Sequence, residues 1–405
     1  MSKPSIACGL DIGTAAIKIL VAKTTSPGST EAIYIGQHPS VGIRRGVIVN
    51  IEEAAKCIAN AIHSAELVSG IKINGVYTNI GGAHVFCASS RGLVSVSRAD
   101  GSISEEDVER VLLAAKTISL SSNKEIIGVY PREFIVDGEG GVKDAVGMRG
   151  VRLESDAIIL AGFAPYLKNL DQTLFKADLE ILDRVPGAIA GALFALTPRQ
   201  KELGTALVDI GAGTTAVAVY EDGDLIHFSV LPIGSINITN DIAIGLQIDI
   251  ETAEKIKIKH GACLFKGADK KIRIEDSQKK YAETFSQRAV SKIINERIAE
   301  IFEMVNKELK KINRAGKLPA GIVLAGGGAK LPGIIEVAKK EFRLSCRLAG
   351  IEGIAGIDQD LSLVNVCGLV LLDMEEKNTK SGSRSFNNSS AFINTLKKII
   401  KAFAP

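Results

Sequence analysis

Several features that mark whole classes of protein are missing from this 405-residue sequence. It has no tryptophan, and aromatic residues make up only 5% of it. Its 49 Lys and Arg nearly balance its 46 Asp and Glu, and a net charge of +3 over this length does not indicate a general nucleic-acid partner. Its apolar runs, such as 157–164, are far shorter than the roughly 20 residues of a membrane-spanning helix. The sequence therefore predicts neither a nucleic-acid-binding nor a bilayer-spanning protein.

Disulfide and metal frameworks are also missing. The six cysteines are scattered along the chain, and none of them forms a CxxC pair. They are Cys8, Cys57, Cys87, Cys263, Cys346 and Cys367. The N-terminus lacks the apolar region and the small-residue cleavage site of a signal peptide. We expect reduced core cysteines in a cytosolic protein.

What is present is a regular alternation of short β-branched runs with longer amphipathic segments. With 46% apolar residues, the chain can form roughly two or three domains of about 150 residues each. The runs predict strands at 15–22, 75–80, 157–163, 205–210, 215–220 and 321–325. The amphipathic segments predict helices at 52–69, 104–118, 250–259, 285–313 and 331–342. This alternation indicates an α/β protein with mixed or parallel sheets.

One motif occurs twice. Asp-Ile-Gly-Thr at 11–14 and Asp-Ile-Gly-Ala-Gly-Thr-Thr at 209–215 each stand between two predicted strands. Their aspartates are about 200 residues apart, which is far longer than the period of a solenoid repeat. The repeat predicts a duplicated domain whose halves face each other across a cleft.

The repeated turns have the composition of phosphate-binding loops. Their glycines, Gly13, Gly211 and Gly213, allow the backbone to approach a phosphate closely. Backbone amides and the hydroxyls of Thr14, Thr214 and Thr215 supply hydrogen-bond donors. Lys18 can direct a positive charge toward the phosphates. Mg²⁺ prefers one or two carboxylates together with water and phosphate oxygens, so Asp11 and Asp209 predict a Mg-nucleotide site, with the metal held through water.

A third glycine cluster follows the strand predicted at 321–325. Gly326, Gly327 and Gly328 precede the predicted helix 331–342. A turn of this kind allows a flat ring or a sugar to lie against bare backbone at a helix N-terminus. It is not a dinucleotide fingerprint, since no acidic residue stands about 20 residues after it.

The order and spacing of these three elements resemble the ATPase core shared by actin, heat-shock chaperones and sugar kinases. The segments 80–84, 105–108, 136–138 and 147–154 resemble, more specifically, the inserted subdomain of the FtsA family of bacterial cell-division actin homologues. The resemblance covers most of residues 5–375. It implies a duplicated actin-like, RNase H-like core with two lobes around a nucleotide cleft, a family-specific inserted subdomain and a C-terminal amphipathic helix.

The same resemblance implies subdomain boundaries. We expect a first lobe (1A) at 1–83, 164–203 and 360–376, an inserted subdomain (1C) at 84–163, a second lobe (2A) at 204–231 and 318–359, an outer subdomain (2B) at 232–317, a flexible linker at 377–389 and an amphipathic helix at 390–405. The segment 253–261 also matches the family, which implies that Glu254 and Lys257 contact the ribose or the base.

Two departures from the actin-like pattern bear on hydrolysis. Val185 stands where a glutamate or glutamine usually positions the attacking water, and Ala216 stands where an aspartate usually follows the second phosphate loop. Losing such a group lowers general-base catalysis by about 10²–10⁴-fold. We therefore expect a nucleotide-binding switch that is at most a weak ATPase.

The last sixteen residues form an amphipathic pattern. At about 100° per residue, their apolar side chains occupy an arc of roughly 120°, formed by Phe392, Ile393, Leu396, Ile399, Ile400 and Phe403. Lys397, Lys398 and Lys401 lie outside that arc. The pattern predicts a helix in the plane of an anionic membrane surface; a helix docked on the core or on a partner protein is the alternative.

Together these observations predict an ATP-binding and Mg²⁺-binding protein that forms filaments and tethers FtsZ to the inner face of the cytoplasmic membrane at the division site. The resemblance implies that the FtsZ C-terminal tail docks near helix 291–311, with Arg297 as a carboxylate partner; a surface salt bridge is the other interpretation of that residue. Other division proteins are implied as partners, and nucleic acid is not. The rival predictions are a sugar or acid kinase on the same core and an actin-like scaffold of pilus assembly.

Overall fold

The computed structural model describes residues 5–26, 29–117, 120–265, 267, 269, 271–274 and 283–380. The strands in this part of the chain are β1 (Ile6–Ile12), β2 (Ala16–Ser26), β3 (Ser29–Pro39), β4 (Ile43–Arg44), β5 (Val47–Ile48), β6 (Gly75–Ile80), β7 (Phe86–Ser95), β8 (Lys124–Val136), β9 (Glu139–Val142), β10 (Arg152–Phe163), β11 (Glu180–Pro186), β12 (Thr205–Ile210), β13 (Thr215–Glu221), β14 (Asp224–Leu231), β15 (Lys271–Ile274), β16 (Glu283–Ser286), β17 (Ile322–Ala325), β18 (Cys346–Leu348) and β19 (Ile354–Ala355). The helices are α1 (Ile51–Ser69), α2 (Glu105–Lys116), α3 (Ala164–Lys176), α4 (Gly187–Ala195), α5 (Pro198–Leu203), α6 (Ser235–Leu246), α7 (Ile250–His260), α8 (Gln287–Lys311), α9 (Ile334–Phe342) and α10 (Val364–Lys380).

The first lobe is built on a sheet with the strand order β11-β6-β1-β2-β3-β19. Strand β1 is antiparallel to β2 and parallel to β6, and its residues from Ala7 to Ile12 are all buried. Burial on both faces explains why this strand is apolar apart from Asp11. Helix α1 lies against β2 and β3, while α10 packs on β1. This packing fixes the C-terminal end of β1, where the first phosphate loop begins.

The second lobe repeats this arrangement. Strand β12 is antiparallel to β13 and parallel to β17, as β1 is to β2 and β6. In the first hairpin Asp11 pairs with Lys18, and in the second Asp209 pairs with Ala216. The two aspartates therefore occupy the same register in two copies of one unit. This confirms the duplicated α/β core that the sequence predicts.

The inserted subdomain has its own small core and a sheet that joins the second lobe. Helix α2 packs on β7 and β10 over a separate cluster of buried side chains that includes Val111, Phe134 and Leu153. Its strands extend the second lobe's sheet in the order β14-β7-β10-β8-β9, through a pairing of Ser229 with Phe86. The chain enters this subdomain from the first lobe, but its sheet is continuous with the second.

Helix boundaries follow local chemistry. Helix α1 begins after Asn50, whose side chain accepts from the Glu53 amide, and ends at Gly70, which is in the left-handed conformation at φ 67°. The helix predicted at 331–342 begins later, at Ile334, because Pro332 and left-handed Gly333 precede it. A 3₁₀ turn at Gly327–Lys330 stands before that break.

The C-terminal end of the described chain is helical. Helix α10 extends to Lys380, so residues 377–380 of the predicted linker belong to a helix. The rest of that linker and the amphipathic segment 390–405 lie outside the described residues. Among the residues that the structure describes, no helix is long and apolar enough to cross a bilayer.

Candidate nucleotide-binding cleft

The first phosphate loop joins β1 to β2 and places an ion pair at the cleft. The Lys18 ammonium lies 2.8 Å from Oδ2 of Asp11, which is only 3% exposed. Burial alone would lower the pKa of Lys18, but the charge and hydrogen bond of Asp11 reverse the effect, and the pKa lies above its ordinary value. Asp209 contributes to the same increase. The lysine is therefore a fixed cation between the two halves of the site.

The second phosphate loop places Asp209 opposite the first. Its Oδ2 accepts a hydrogen bond of 2.8 Å from Nδ2 of Asn365, a residue of α10. Burial raises the pKa of Asp209, the Asn365 hydrogen bond opposes this, and the charge of Asp11 raises it further. The charge of Asp11 thus acts on Asp209, and the two repeated aspartates share one electrostatic environment.

The two threonines of the second loop differ. Thr214 lines the cleft. Thr215 is fully buried, and its hydroxyl donates to the carbonyl of Ile233 at 2.9 Å. The prediction that Thr215 supplies a donor to phosphate is therefore wrong. Its side chain points away from the face of Ala216, which lines the cleft, because adjacent residues of a strand alternate between faces.

The third glycine cluster packs directly on the second loop. Gly326 is left-handed at φ 86°, and a Cβ there would overlap Oδ1 of Asp209. A Cβ on Gly328 would lie 2.5 Å from Cγ2 of Ile210. Gly326, Gly327 and Gly328 all line the cleft beside Asp209. Only glycine allows the backbone of this turn to approach the aspartate so closely.

The residues predicted to contact adenosine form a small network on α7. The Lys257 ammonium lies 2.7 Å from Oε2 of Glu254, and it also donates to the Ser235 carbonyl and to Oγ1 of Thr239. Lys257 is only 8% exposed, whereas the Glu254 side chain is 42% exposed. The lysine thus holds α7 against α6, and Glu254 is the more accessible of the two to a ligand.

These segments enclose a cleft of about 1060 Å³, slightly above the 300–1,000 Å³ typical of ligand pockets. Its lining includes Asp11, Gly13, Thr14, Lys18, Asp209, Gly211, Thr214, Glu254, Lys257 and all three glycines of the third cluster. Gly213 lies at the tip of the second loop, outside this lining but against Thr14. Two carboxylates facing a space lined by amides and hydroxyls fit a hydrated Mg²⁺ with a nucleotide.

Sequence reasoning missed several cleft residues. Asn79 at the end of β6 accepts from the Ile12 amide at 2.6 Å and donates to the Ile12 carbonyl, and so fixes the end of β1. Asn365 orients Asp209, and Gln37 lines the cleft as the cross-strand neighbour of Lys18. None of them stands in a glycine-rich motif. Only the fold brings them to the loops.

Arg297 is paired within the protein. Its Nε and Nη2 donate to the Asp241 carboxylate at 2.5 and 2.8 Å, and Nη1 contacts Glu300. These contacts connect α8 to α6. Hydrogen bonding to Asp241, opposed by burial, raises the pKa of Arg297 further. The salt-bridge interpretation therefore describes this residue in the free protein.

The fold and the cleft together define an actin-like protein. The PilM-PilN type IV pilus biogenesis complex is similar to it at a TM-score of 0.65 and 18% identity, covering 90% of this chain and 97% of that one. MreB5 of Spiroplasma citri bound to AMPPNP is similar at a TM-score of 0.59 and 15% identity, covering 94% and 99% of the two chains. At such identities the likeness shows the fold alone.

Sequence comparison identifies the family. The model of cell division protein FtsA matches residues 206–364, and the model of the SHS2 domain inserted in FtsA matches 82–161. Cell division protein FtsA of Pseudomonas aeruginosa is 33% identical over 387 residues, which cover 94% of this chain and 92% of the relative. FtsA of Borreliella burgdorferi is 36% identical over 375 residues, covering 91% of each. The chain belongs to the FtsA family and is an actin-like cell-division protein.

Proposed function

We propose that this protein binds Mg-ATP between its two lobes, assembles into filaments, and tethers FtsZ filaments to the inner face of the cytoplasmic membrane at the division site. The observation that supports this most is the meeting of the two repeated aspartate turns in one cleft. Asp11 and Asp209 would hold Mg²⁺ through water. The loop amides and the hydroxyls of Thr14 and Thr214 would bind the phosphates.

The remaining cleft residues complete the proposed nucleotide site. Lys18, already fixed by Asp11, would neutralise phosphate charge, while Gly326 to Gly328 would lie against adenosine with Glu254. Asp11 and Asp209 would hold Mg²⁺ through water beside the phosphates, and the metal would supply charge neutralisation when bound. Because these groups belong to different lobes, the nucleotide would hold the lobes closed.

FtsZ recruitment is proposed on family membership and on the surface of the outer subdomain. Helix α8 presents Arg297, which pairs with Asp241 of α6 and with Glu300 of its own helix. A carboxylate of the FtsZ tail would reach the guanidinium only by exchanging with one of these acidic groups. Arg297 would thus contribute to docking by exchanging an internal acidic partner for a carboxylate of the FtsZ tail. The amphipathic segment 390–405 would supply the membrane contact.

A phosphotransferase on the same core is disfavoured by the cleft carboxylates. Such an enzyme needs an aspartate near the γ-phosphate that can activate a substrate hydroxyl. Within the described residues, Asp11 is paired with Lys18 and Asp209 accepts from Asn365. The other two carboxylates lining the cleft, those of Glu251 and Glu254, lie on α7 with the proposed adenosine contacts.

The purified protein is expected to hydrolyse ATP very slowly. Val185 is buried at the end of β11, and Ala216 lines the cleft without a group that could orient water. Phosphate release should stay close to the no-enzyme background in a coupled assay. Turnover of about one per second or faster would lie in the range of ordinary enzymes and would contradict the proposal of a nucleotide-binding switch. In that case, the Gln37→Ala variant would show whether this glutamine positions the attacking water.

Filaments are expected on anionic lipid in the presence of Mg-ATP. Weak membrane anchors hold firmly only when an assembly presents many of them at high effective concentration. Electron microscopy of the full chain on anionic monolayers tests this, with zwitterionic lipid and nucleotide-free protein as controls. Monomers at high protein concentration on anionic lipid with Mg-ATP would contradict the proposed function.

A further inference from the structure

A two-residue turn between β4 and β5 lies at the phosphate end of the cleft. Arg44 pairs with Val47, so Arg45 and Gly46 form the turn, with φ of 48° and 72°. A two-residue hairpin turn of this type requires positive φ at both central positions. Arg45 adopts that conformation although it has a side chain, which is unfavourable for a non-glycine residue. The surrounding contacts must therefore hold the turn in place.

The turn contacts the first phosphate loop through one hydrogen bond. The Gly46 amide donates to Oγ1 of Thr14 at 2.9 Å. A threonine hydroxyl has one proton and two acceptor lone pairs. Because this bond occupies a lone pair, the hydroxyl proton of Thr14 is left to donate to another acceptor. In a cleft that binds nucleotide, that acceptor is a phosphate oxygen.

The turn contacts the second phosphate loop as well. A Cβ on Gly213 would lie 2.9 Å from both Cα of Arg45 and Oγ1 of Thr14. The tips of both loops and the turn thus meet at one point, with no room for a side chain. At the other end of the second loop, Asp209 lies against Gly326 of the proposed adenosine loop. The meeting point is therefore at the opposite end of the second loop from the proposed adenosine loop, and we place the terminal phosphate there.

We propose that Gly46 is a positioning residue for the terminal phosphate: its amide orients the Thr14 hydroxyl, and the turn holds the two phosphate loops in register. This inference rests on the proposed nucleotide site. If Gly46 has this role, the difference in affinity between ATP and ADP depends on the Arg45-Gly46 turn, which lies outside both aspartate motifs.

The opposite side of the turn contacts the segment that leads into the inserted subdomain. A Cβ on Gly46 would lie 2.7 Å from the amide nitrogen of Gly82, and one on Gly81 would lie 3.0 Å from the Gly46 carbonyl oxygen. Beside these contacts is a cavity of about 20 Å³, enough for one water. Its lining includes Gly46, Gly81, His84 and Tyr166. A Cβ at position 46 must therefore move the turn, since backbone blocks it.

Affinities of the full-length protein for Mg-ATP and Mg-ADP, measured by calorimetry, test the proposal. The wild-type protein should prefer ATP. Gly46→Ala should reduce the ATP-to-ADP affinity ratio about 10- to 100-fold, the range for one hydrogen bond to a charged group. Thr14→Val should do the same, whereas Thr14→Ser should retain the ratio because it keeps the hydroxyl. The double variant Gly46→Ala/Thr14→Val should lose no more than Thr14→Val does alone.

Gly70→Ala is the matched control. Gly70 has a similar φ of 67° but nothing within 4 Å of a Cβ, so it reproduces the backbone strain without the contact. If Gly46→Ala does not fold, Gly213→Ala replaces it, since its Cβ would displace the same turn. A ratio unchanged by these glycine substitutions, a wild-type protein without preference for ATP, or independent losses in the double variant would overturn the inference. Retained binding of both nucleotides by Asp209→Ala would instead show that the proposed site itself is wrong.

Discussion

Asp209→Ala should weaken Mg-ATP binding by at least about 30-fold, since truncating one partner of a buried, hydrogen-bonded charge pair costs about 2–5 kcal/mol. The substitution removes one of the two carboxylates available to Mg²⁺. It also leaves Nδ2 of Asn365 without the acceptor that it has at 2.8 Å. Isothermal calorimetry on purified protein measures the loss directly.

The control for that experiment is Asp100→Ala, which removes an exposed aspartate of the inserted subdomain. It should bind Mg-ATP like the wild-type protein. Thermal unfolding of both variants shows whether the core is intact. Equal affinity of Asp209→Ala and wild type would exclude the cleft as the nucleotide site.

The dependence of binding on pH gives a second readout of the same carboxylate. Because burial raises the pKa of Asp209, its protonated form persists to a higher pH than that of an ordinary aspartate, whose pKa is about 3.9. Mg-ATP affinity should therefore fall on acidification, since Mg²⁺ needs the carboxylate. Asn365→Ala removes a hydrogen bond that lowers this pKa and should move the midpoint to higher pH. Ionisation of ATP itself is common to both proteins and cancels in the comparison.

Leu396→Glu, or deletion of residues 390–405, should release the protein from anionic vesicles, with binding reduced by at least about 100-fold. Leu396 lies at the centre of the apolar arc, where full burial of a leucine contributes about 1.5–3 kcal/mol and an unpaired charge opposes insertion. Lysines near anionic lipid add about 1 kcal/mol each. Sedimentation with vesicles at two salt concentrations separates the apolar contribution to binding from the electrostatic contribution, because salt screens only the latter.

Asn394→Glu introduces the same charge on the opposite face of the predicted helix, about 200° from Leu396. It should reduce vesicle binding only modestly, by offsetting part of the lysine attraction. Both variants should unfold at the wild-type temperature. If Leu396→Glu still sediments with vesicles, or lowers the unfolding temperature of the core, the helix docks on protein and the membrane tether is wrong.

The elements of the core could be predicted from the sequence because their signals are local. Strand β6 has the predicted bounds, and α1 and α7 each differ from prediction by one residue at one end. Periodicity of apolar residues and turn chemistry decide these elements within a short segment. The repeated aspartate turns, and therefore the two-lobed architecture, are visible for the same reason.

The direction of the Thr215 side chain could not be predicted from the local sequence. Thr215 stands beside Thr214 in the same motif, yet its hydroxyl bonds to Ile233 in the interior. Strand alternation predicts that either Thr215 or Ala216 faces away from the cleft, but the sequence does not show which face of β13 is covered. Packing of the second lobe decides it.

The sequence by itself determined the two aspartate turns, the third glycine cluster, the family resemblance and the amphipathic C-terminal pattern, because each is visible in short stretches of consecutive residues. Tertiary structure alone decided which groups complete the site. Asn365 reaches Asp209 across 156 residues, Gly46 reaches Thr14 across 32, and the inserted sheet joins the second lobe through Phe86 and Ser229. These contacts depend on tertiary packing, within the first lobe for Gly46 and between parts of the chain far apart in sequence for the others. Such packing is the sum of many contacts and cannot be seen in the local sequence of the residues that it brings together.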